Sequence, residues 1–427
     1  MEPGNTPAAD AGLPARARIG FFVGKGGVGK STLASATAVA AALAGERVLA
    51  VSTDQAHSLG DVLGVPVPPT GSPEPVRILT EEGSAGGGHL DALALDTLAL
   101  LETRWRDIAP VIAGSLPESD LKDVAPEELS AIPGIQEVLG LHQVARLADS
   151  GDWDYVVVDC ASTADAMRML TLPAAFGMYL ERAWPRHRRL SAAVEGVREA
   201  AMVVLVEGIA SGVEELSALL TDGERVSAHL VLTAEKVVAA EAVRTLGSLA
   251  LMGVKVAELI VNQVLAQDDS YEYRNLPAHP AFDWYAERIS EQQSVLENLS
   301  ATIGDVQLVL APHLAGEPIG PKALGQLLDS VRRRDGSPPP GPLRPVVDRE
   351  SGSGLDAVYR MRLELPQVES GALTLGRVDD DLIIGVAGMR RRVRLASVLR
   401  RCTVLDAALR GNELTVRFRP NPEVWPA

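Results

Sequence analysis

Cysteine is almost absent from this chain of 427 residues: only Cys160 and Cys402 occur. They lie far apart and in no C-x-x-C spacing, so neither a disulfide framework nor a cysteine zinc site is indicated, and a reducing, cytoplasmic compartment is expected. Lysine is scarce as well, with six residues among 40 basic ones. Basic excess is missing altogether. The net charge of -16 argues against nonspecific nucleic-acid binding, which needs a clustered basic surface. No stretch approaches the roughly 18 uncharged apolar residues of a membrane span, so no stable membrane insertion is expected. Residues 1–17 carry prolines, Glu2 and Asp10 and no apolar segment, which reads as a disordered tail and not as a signal peptide.

What remains is 46% apolar and 22% charged, a soluble globular composition, in a chain long enough for two or three domains. One stretch stands out. Gly24-Lys25-Gly26-Gly27-Val28-Gly29-Lys30-Ser31-Thr32 has the spacing G-x-x-x-x-G-K-[ST], a loop that cradles nucleotide phosphates. Its glycines let successive backbone N–H groups approach phosphate oxygens, Lys30 adds a mobile positive charge, and Ser31 offers a hydroxyl to Mg²⁺. The context agrees: Ile19, Phe21, Phe22 and Val23 predict a buried strand before the loop, and Ser31 to Ala44 a helix after it. Lys25 is a second lysine, at the far end of the same loop. In this the loop resembles the deviant P-loops of the ArsA, tail-anchored-protein-targeting, MinD and ParA ATPases, whose first lysine reaches across a dimer to the partner's nucleotide.

Strand and helix signals alternate from the loop onward, predicting an α/β fold with a mainly parallel sheet and helices on both faces. Arg47–Ser52, Tyr155–Asp159, Leu230–Thr233, Leu259–Asn262 and Val306–Ala311 read as strands, and Val237–Leu251 as a long helix. Residues 65–88, rich in proline and glycine, read as loop. A helical subdomain is expected over about 90–150 and 170–222, where Met167, Met169, Met178 and Met202 suit either core packing or a pliable apolar groove. Residues 333–354 read as a linker. Beyond it, Tyr359, Met361, Leu363 and Leu365 alternate with Arg360, Arg362 and Glu364, and Leu414, Val416 and Phe418 repeat the period of two, predicting an all-β sandwich over 355–420.

Two aspartates complete the candidate site. Asp54 follows the second strand and Asp159 ends the YVVVD strand, and in an open α/β sheet ligands gather at the carboxyl ends of strands. Asp54 is placed to orient an attacking water, and Asp54 and Asp159, through water, to join Ser31 around Mg²⁺.

The order of DQAHSLGD (54–61), PGIQE (133–137), DCASTADAMRMLTLP (159–173), TAEK (233–236), VNQ (261–263) and APHLAGEPIG (311–320) resembles the ArsA and tail-anchored-protein-targeting ATPase family over residues 18–332. The C-terminal segment is similar to an α-crystallin, small heat-shock-like domain. The resemblance implies an ATP- and Mg²⁺-dependent ATPase, dimeric with itself or with a related subunit. In it Lys25 and Asp54 serve catalysis and Asn262 and the region near Pro312 hold adenine. Departures fall in both switches: Gln55 stands for the family's proline, and Cys160, Ser162, Ala164 and Asp165 replace Thr, Pro, Gly and His. A hydrophobic protein client is the expected cargo. Arsenite is disfavoured because it prefers three soft thiolates, and a MinD- or ParA-like positional role rests only on the arginines between Arg390 and Arg401.

Overall fold

The computed structural model describes residues 16–54, 58–70, 74–80, 87–115, 128, 134–192, 197–265, 279–304, 306–333, 345–365, 373–386, 389–411 and 413–425. Strand β1 (Arg18–Gly24) runs into helix α1 (Lys30–Leu43), followed by β2 (Arg47–Ser52), α2 (Ser58–Leu63), β3 (Pro69–Thr70), β4 (Val76–Thr80), β5 (His89–Leu95), α3 (Thr97–Ser115), α4 (Ile135–Ala148) and β6 (Tyr155–Asp159). Then come α5 (Thr163–Ala183), α6 (Arg186–Ala192), α7 (Val197–Leu220), β7 (Val226–Thr233), α8 (Lys236–Met252), β8 (Val256–Val264), α9 (Pro280–Thr302), β9 (Gln307–Pro312), α10 (Pro321–Ser330) and β10 (Arg332–Arg333).

These strands form one sheet in the order β10-β9-β8-β7-β1-β6-β2-β5-β3, with β4 pairing β5. Pairings at its centre are parallel, and only β10 with β9 and β4 with β5 run antiparallel. The reason is visible in the strands: every residue of β6 is buried, as are the last six of β1, because helices cover both faces and no polar side need show. Phe22 and Ser52 both pair with Asp159, so the carboxyl ends of β1, β2 and β6 are level. The phosphate-type loop therefore leaves the sheet beside Asp54 and Asp159.

The C-terminal residues build a β sandwich. One sheet has the order β11 (Val346–Ser351), β12 (Val358–Glu364), β17 (Glu413–Pro420), β16 (Cys402–Arg410); the other joins β13 (Leu373–Val378), β14 (Asp381–Val386) and β15 (Met389–Arg394), with a short helix α11 (Ser397–Arg400) between β15 and β16. Met361, Leu363, Leu365, Leu414, Val416 and Phe418 are buried, as the alternation predicts. The sandwich core also takes in Leu251, a residue of α8 that is 1% exposed.

Three expectations need correction. The helical subdomain does not begin near 90, because His89–Leu95 is a strand paired between β2 and β3; its leucines and alanines carry no strand signature, and burial on both faces overrides their helical preference. Residues 65–88 are not all loop, since they hold β3 and β4. The linker is shorter than 333–354, because Val346–Ser351 pairs with β12. Its Val-Val-Asp-Arg-Glu-Ser has no clean period of two, and nearby prolines mask it. Residues 116–127, 129–133, 193–196 and 1–15, on which parts of the expected tail and subdomain fall, lie outside the described residues.

Candidate nucleotide site

The loop between β1 and α1 is shaped by its glycines. Gly29, the residue before α1, has φ of 91°, and a Cβ there would lie 2.2 Å from the Asn262 side-chain nitrogen, so only glycine fits. Around Gly26 and Gly27 the space is open, and Gly27 also has a positive φ of 81°. Gly24 ends β1 where a Cβ would lie 2.2 Å from the Val231 carbonyl oxygen of β7, Val28 is buried and Thr32 is half-buried in the first turn of α1. Among the described residues no acidic side chain lies in that first turn, which leaves the positive end of the helix dipole to an anion.

The two lysines differ. Lys30 is 7% exposed and donates from Nζ to the Lys25 carbonyl at 3.1 Å, closing the loop on itself. The Lys25 side chain is half exposed and meets Glu241 of α8 at 3.9 Å, a loose surface ion pair worth at most about 1 kcal/mol.

Asp159 is the electrostatic centre. Its carboxylate is 1% exposed and neither oxygen has a hydrogen-bond partner. Burial, with Asp54 nearby, pushes its pKa up to about 6, against the opposing pull of Ser31 and Lys30. The Ser31 hydroxyl is close to this carboxylate and shares a hydrogen bond with the Ser58 hydroxyl, 3.0 Å away, in which either oxygen can donate. A buried ionised carboxylate without a donor is unfavourable, and a hydrated divalent cation beside it would satisfy both oxygens; the donor set of Ser31, Asp54 and Asp159 suits hard Mg²⁺. Asp54 continues from β2, its backbone N–H donating to the Ser52 hydroxyl at 3.1 Å.

A raised carboxyl pKa gives a definite sign. The folded chain holds a proton on Asp159 that the unfolded chain has already released between about pH 4 and pH 6, so this group's contribution is greatest below that window and falls as pH rises through it. In metal-free protein, Asp159→Asn is expected to raise stability at pH 7 by about 3 kcal/mol, with the gain shrinking toward pH 5. Urea midpoints of the two proteins at both pH values check it; an equal difference at both removes Asp159 as the source.

Asn262 reaches the loop from β8. Its side-chain amide donates to the Val28 carbonyl at 2.9 Å, and its Oδ1 accepts from the Gln263 N–H. Gln263 itself has φ of 59°, unusual for a residue other than glycine. This turn is clamped by Gln292 of α9, which accepts from the Leu265 N–H at 2.9 Å and donates to the Gln263 carbonyl at 3.0 Å. Pro312 ends the neighbouring strand β9, paired in register with Val264. The structure thus gathers Gly24 to Thr32, Asp54, Asp159 and Asn262 at one sheet edge and places Pro312 at the end of the strand beyond Asn262.

Sequence reading missed Ser58, Glu241 and Gln292. Ser58 lies within the DQAHSLGD stretch but was given no role, and no motif marks Glu241 or Gln292, because each acts through a contact made by the fold. Gln55, whose replacement of proline matters for the first switch, lies outside the described residues, as does Pro133. Cys160 is described: it is wholly buried after β6, where burial pushes its thiol far up, and Ser162 caps α5, accepting from the Asp165 N–H.

With the geometry in place, the comparisons decide the family. A family model described as an anion-transporting ATPase, ArsA type, matches residues 17–332, and one for an HSP20-like domain found in ArsA matches residues 356–418. The chain belongs to the ArsA ATPase family. Its relatives include Protein Rv2184c of Mycobacterium tuberculosis, 72% identical over 98% of this chain and 100% of that protein. A putative arsenical pump-driving ATPase 1 of Aquifex aeolicus is 24% identical over 93% of this ArsA chain and 99% of its own length. An arsenical pump-driving ATPase of Escherichia coli is 28% identical, and there the match covers 58% of the longer relative. Family membership accounts for the P-loop on a parallel sheet and for the sandwich behind it. Among the described residues no helix is long and apolar enough to cross a membrane.

Proposed function

We propose that this ArsA-family chain hydrolyses ATP as a dimer, formed with itself or with a related subunit, and couples dimer closure to binding of a hydrophobic protein client. The observation that carries the reading is the P-loop with two lysines in different situations. Lys30 is buried and folded onto its own loop, whereas Lys25 is half exposed and held only by a weak ion pair, so it remains available to a nucleotide bound by a neighbour. Loop amides from Gly24 to Thr32 and Lys30 would hold the phosphates, Asn262 and Pro312 the base side. Ser31, with Asp54 and Asp159 through water, would hold Mg²⁺, which neutralises phosphate charge when bound. Asp54 orients the attacking water.

A client fits the helical subdomain. On α5 and α7, Phe176, Tyr179, Val204 and Ile209 are 41%, 70%, 73% and 44% exposed, a set of large apolar side chains on packed helices that water disfavours. Met169 is buried in the core and Met167 packs against it, so these two methionines serve packing; the side chains of Met178 and Met202 lie outside the described residues. Arsenite finds poor ligands: the chain's two thiols are both buried, one beside β6 and the other in the sandwich.

Mass in solution tests the reading. Purified protein is expected to shift from monomer to dimer with ATP and Mg²⁺, the shift being lost in Lys25→Ala while Lys25→Ala still binds nucleotide. Particles whose mass ignores nucleotide would overturn the dimer.

A further inference from the structure

Ser58 opens α2, the short helix that follows Asp54, and its hydroxyl lies 3.0 Å from the Ser31 hydroxyl. This is a contact between the phosphate loop and the first switch, made across 27 residues of sequence. It sits beside the Asp159 carboxylate, whose two oxygens are buried without partners.

A serine that binds a cation uses an oxygen lone pair and must send its O–H elsewhere. Two acceptors flank the Ser31 hydroxyl: the Ser58 hydroxyl at 3.0 Å, and the nearby Asp159 carboxylate, whose oxygens make no hydrogen bond here and stay open to the ion's water shell. Donation from Ser31 to Ser58 leaves a Ser31 lone pair for the ion and fixes the hydroxyl's rotation, the role that outer hydrogen-bond partners play at metal centres. We propose that Ser58 is a positioning residue for the Mg²⁺ site: it orients Ser31 toward the ion and thereby ties α2 to the presence of the metal. This rests on the nucleotide and Mg²⁺ reading given above.

The tie continues outward. At the far end of α2, the Val62 carbonyl accepts from the Gly320 N–H at 2.9 Å, and Gly320 leads directly into α10, which packs along α1. Ion binding at Ser31 is thus linked through Ser58 to the segment that separates β9 from α10. Ser58 does not touch the reacting phosphate in this scheme; it acts through Ser31.

The experiment measures binding, not turnover. A fluorescent ATP analogue is titrated into full-length protein without Mg²⁺ and then at rising Mg²⁺. For Ser58→Ala the Mg²⁺ concentration giving half of the metal-dependent tightening is expected to rise about tenfold, in line with loss of an outer-shell partner, while affinity without Mg²⁺ stays unchanged. Ser58→Thr, which keeps the hydroxyl, is expected to restore the parent value. Direct Mn²⁺ binding followed by electron paramagnetic resonance gives a second readout. Equal Mg²⁺ dependence in parent and Ser58→Ala overturns the Ser58 assignment alone. A fall in metal-free affinity of the same size as the fall with metal also overturns it, marking a merely structural loss. A parent protein whose nucleotide affinity ignores Mg²⁺ overturns the underlying reading as well.

Discussion

Asp54→Ala is expected to leave ATP affinity within a few-fold of the parent and to lower turnover by at least about 100-fold, the usual scale for removing a group that handles the proton of an attacking nucleophile. The position follows from the sheet. Ser52 is level with Asp159, so Asp54 leaves β2 at the carboxyl edge where the phosphate loop also emerges, and its charge is felt by Asp159. The contacts that shape the phosphate cradle include those of Lys30, Gly29 and Asn262. Phosphate release at saturating ATP, set beside binding of a fluorescent analogue, separates the two effects. Undiminished turnover would remove Asp54 from the water-orienting role, and a parallel collapse of binding would make it a structural residue.

The second large effect lies far from the phosphates. Arg189 is 1% exposed, an uncommon burial for arginine, and it joins three helices: Nε donates to Glu207 of α7 at 2.7 Å, one terminal nitrogen to Glu181 of α5 at 2.6 Å, and the other to the Trp184 carbonyl at 2.5 Å. Arg186 adds a longer pair to Glu207 at 3.8 Å. Removing one member of a buried charge cluster strands the others and commonly costs about 3–5 kcal/mol; the low end applies here because Glu181 is half exposed and rehydrates. Arg189→Met is therefore expected to destabilise the protein by about 3 kcal/mol. Arg189→Lys should recover only part of this, since an ammonium cannot span three acceptors as the planar fork does. Hydrogen exchange localises the effect: amides of α5 to α7 should open while those of β6 stay protected. Uniform loss of protection would mean that the cluster holds the whole domain together. The same helices present Phe176 and Tyr179, so Arg189 also fixes the surface to which a client is assigned.

Much of the fold was legible, for reasons that differ between elements. Strands β2 and β6 fall where their apolar, partly β-branched runs predict them, because a strand buried on both faces must be apolar throughout. Helix α8 begins within a residue of its expected start. By contrast β5, written His-Leu-Asp-Ala-Leu-Ala-Leu, uses residues that favour helix, and only its place in the sheet makes it a strand. Asp91 within it looks like a solvent residue yet is buried, accepting from the Trp153 indole N–H at 3.0 Å and pairing with Arg77.

At the candidate site the sequence supplied the loop and the two aspartates, since their spacing follows from local backbone demands. Ser58 on Ser31 and Gln292 on the Gln263 turn were hidden, because such pairs depend on which loops meet at the sheet edge and not on any spacing along the chain. Arg189 was hidden for another reason. In Arg-His-Arg-Arg it reads as one of several solvated charges, and only the crossing of three helices singles it out.

Leu251 closes the core of the β sandwich although it belongs to a helix of the ATPase domain. The sandwich is therefore not a portable cassette. Cut at the linker, it would carry a leucine-sized socket open to water, and the ATPase half would display a bare leucine where the socket had been. Any exchange of this domain between relatives has to take the end of that helix with it, because the two halves are matched at this leucine.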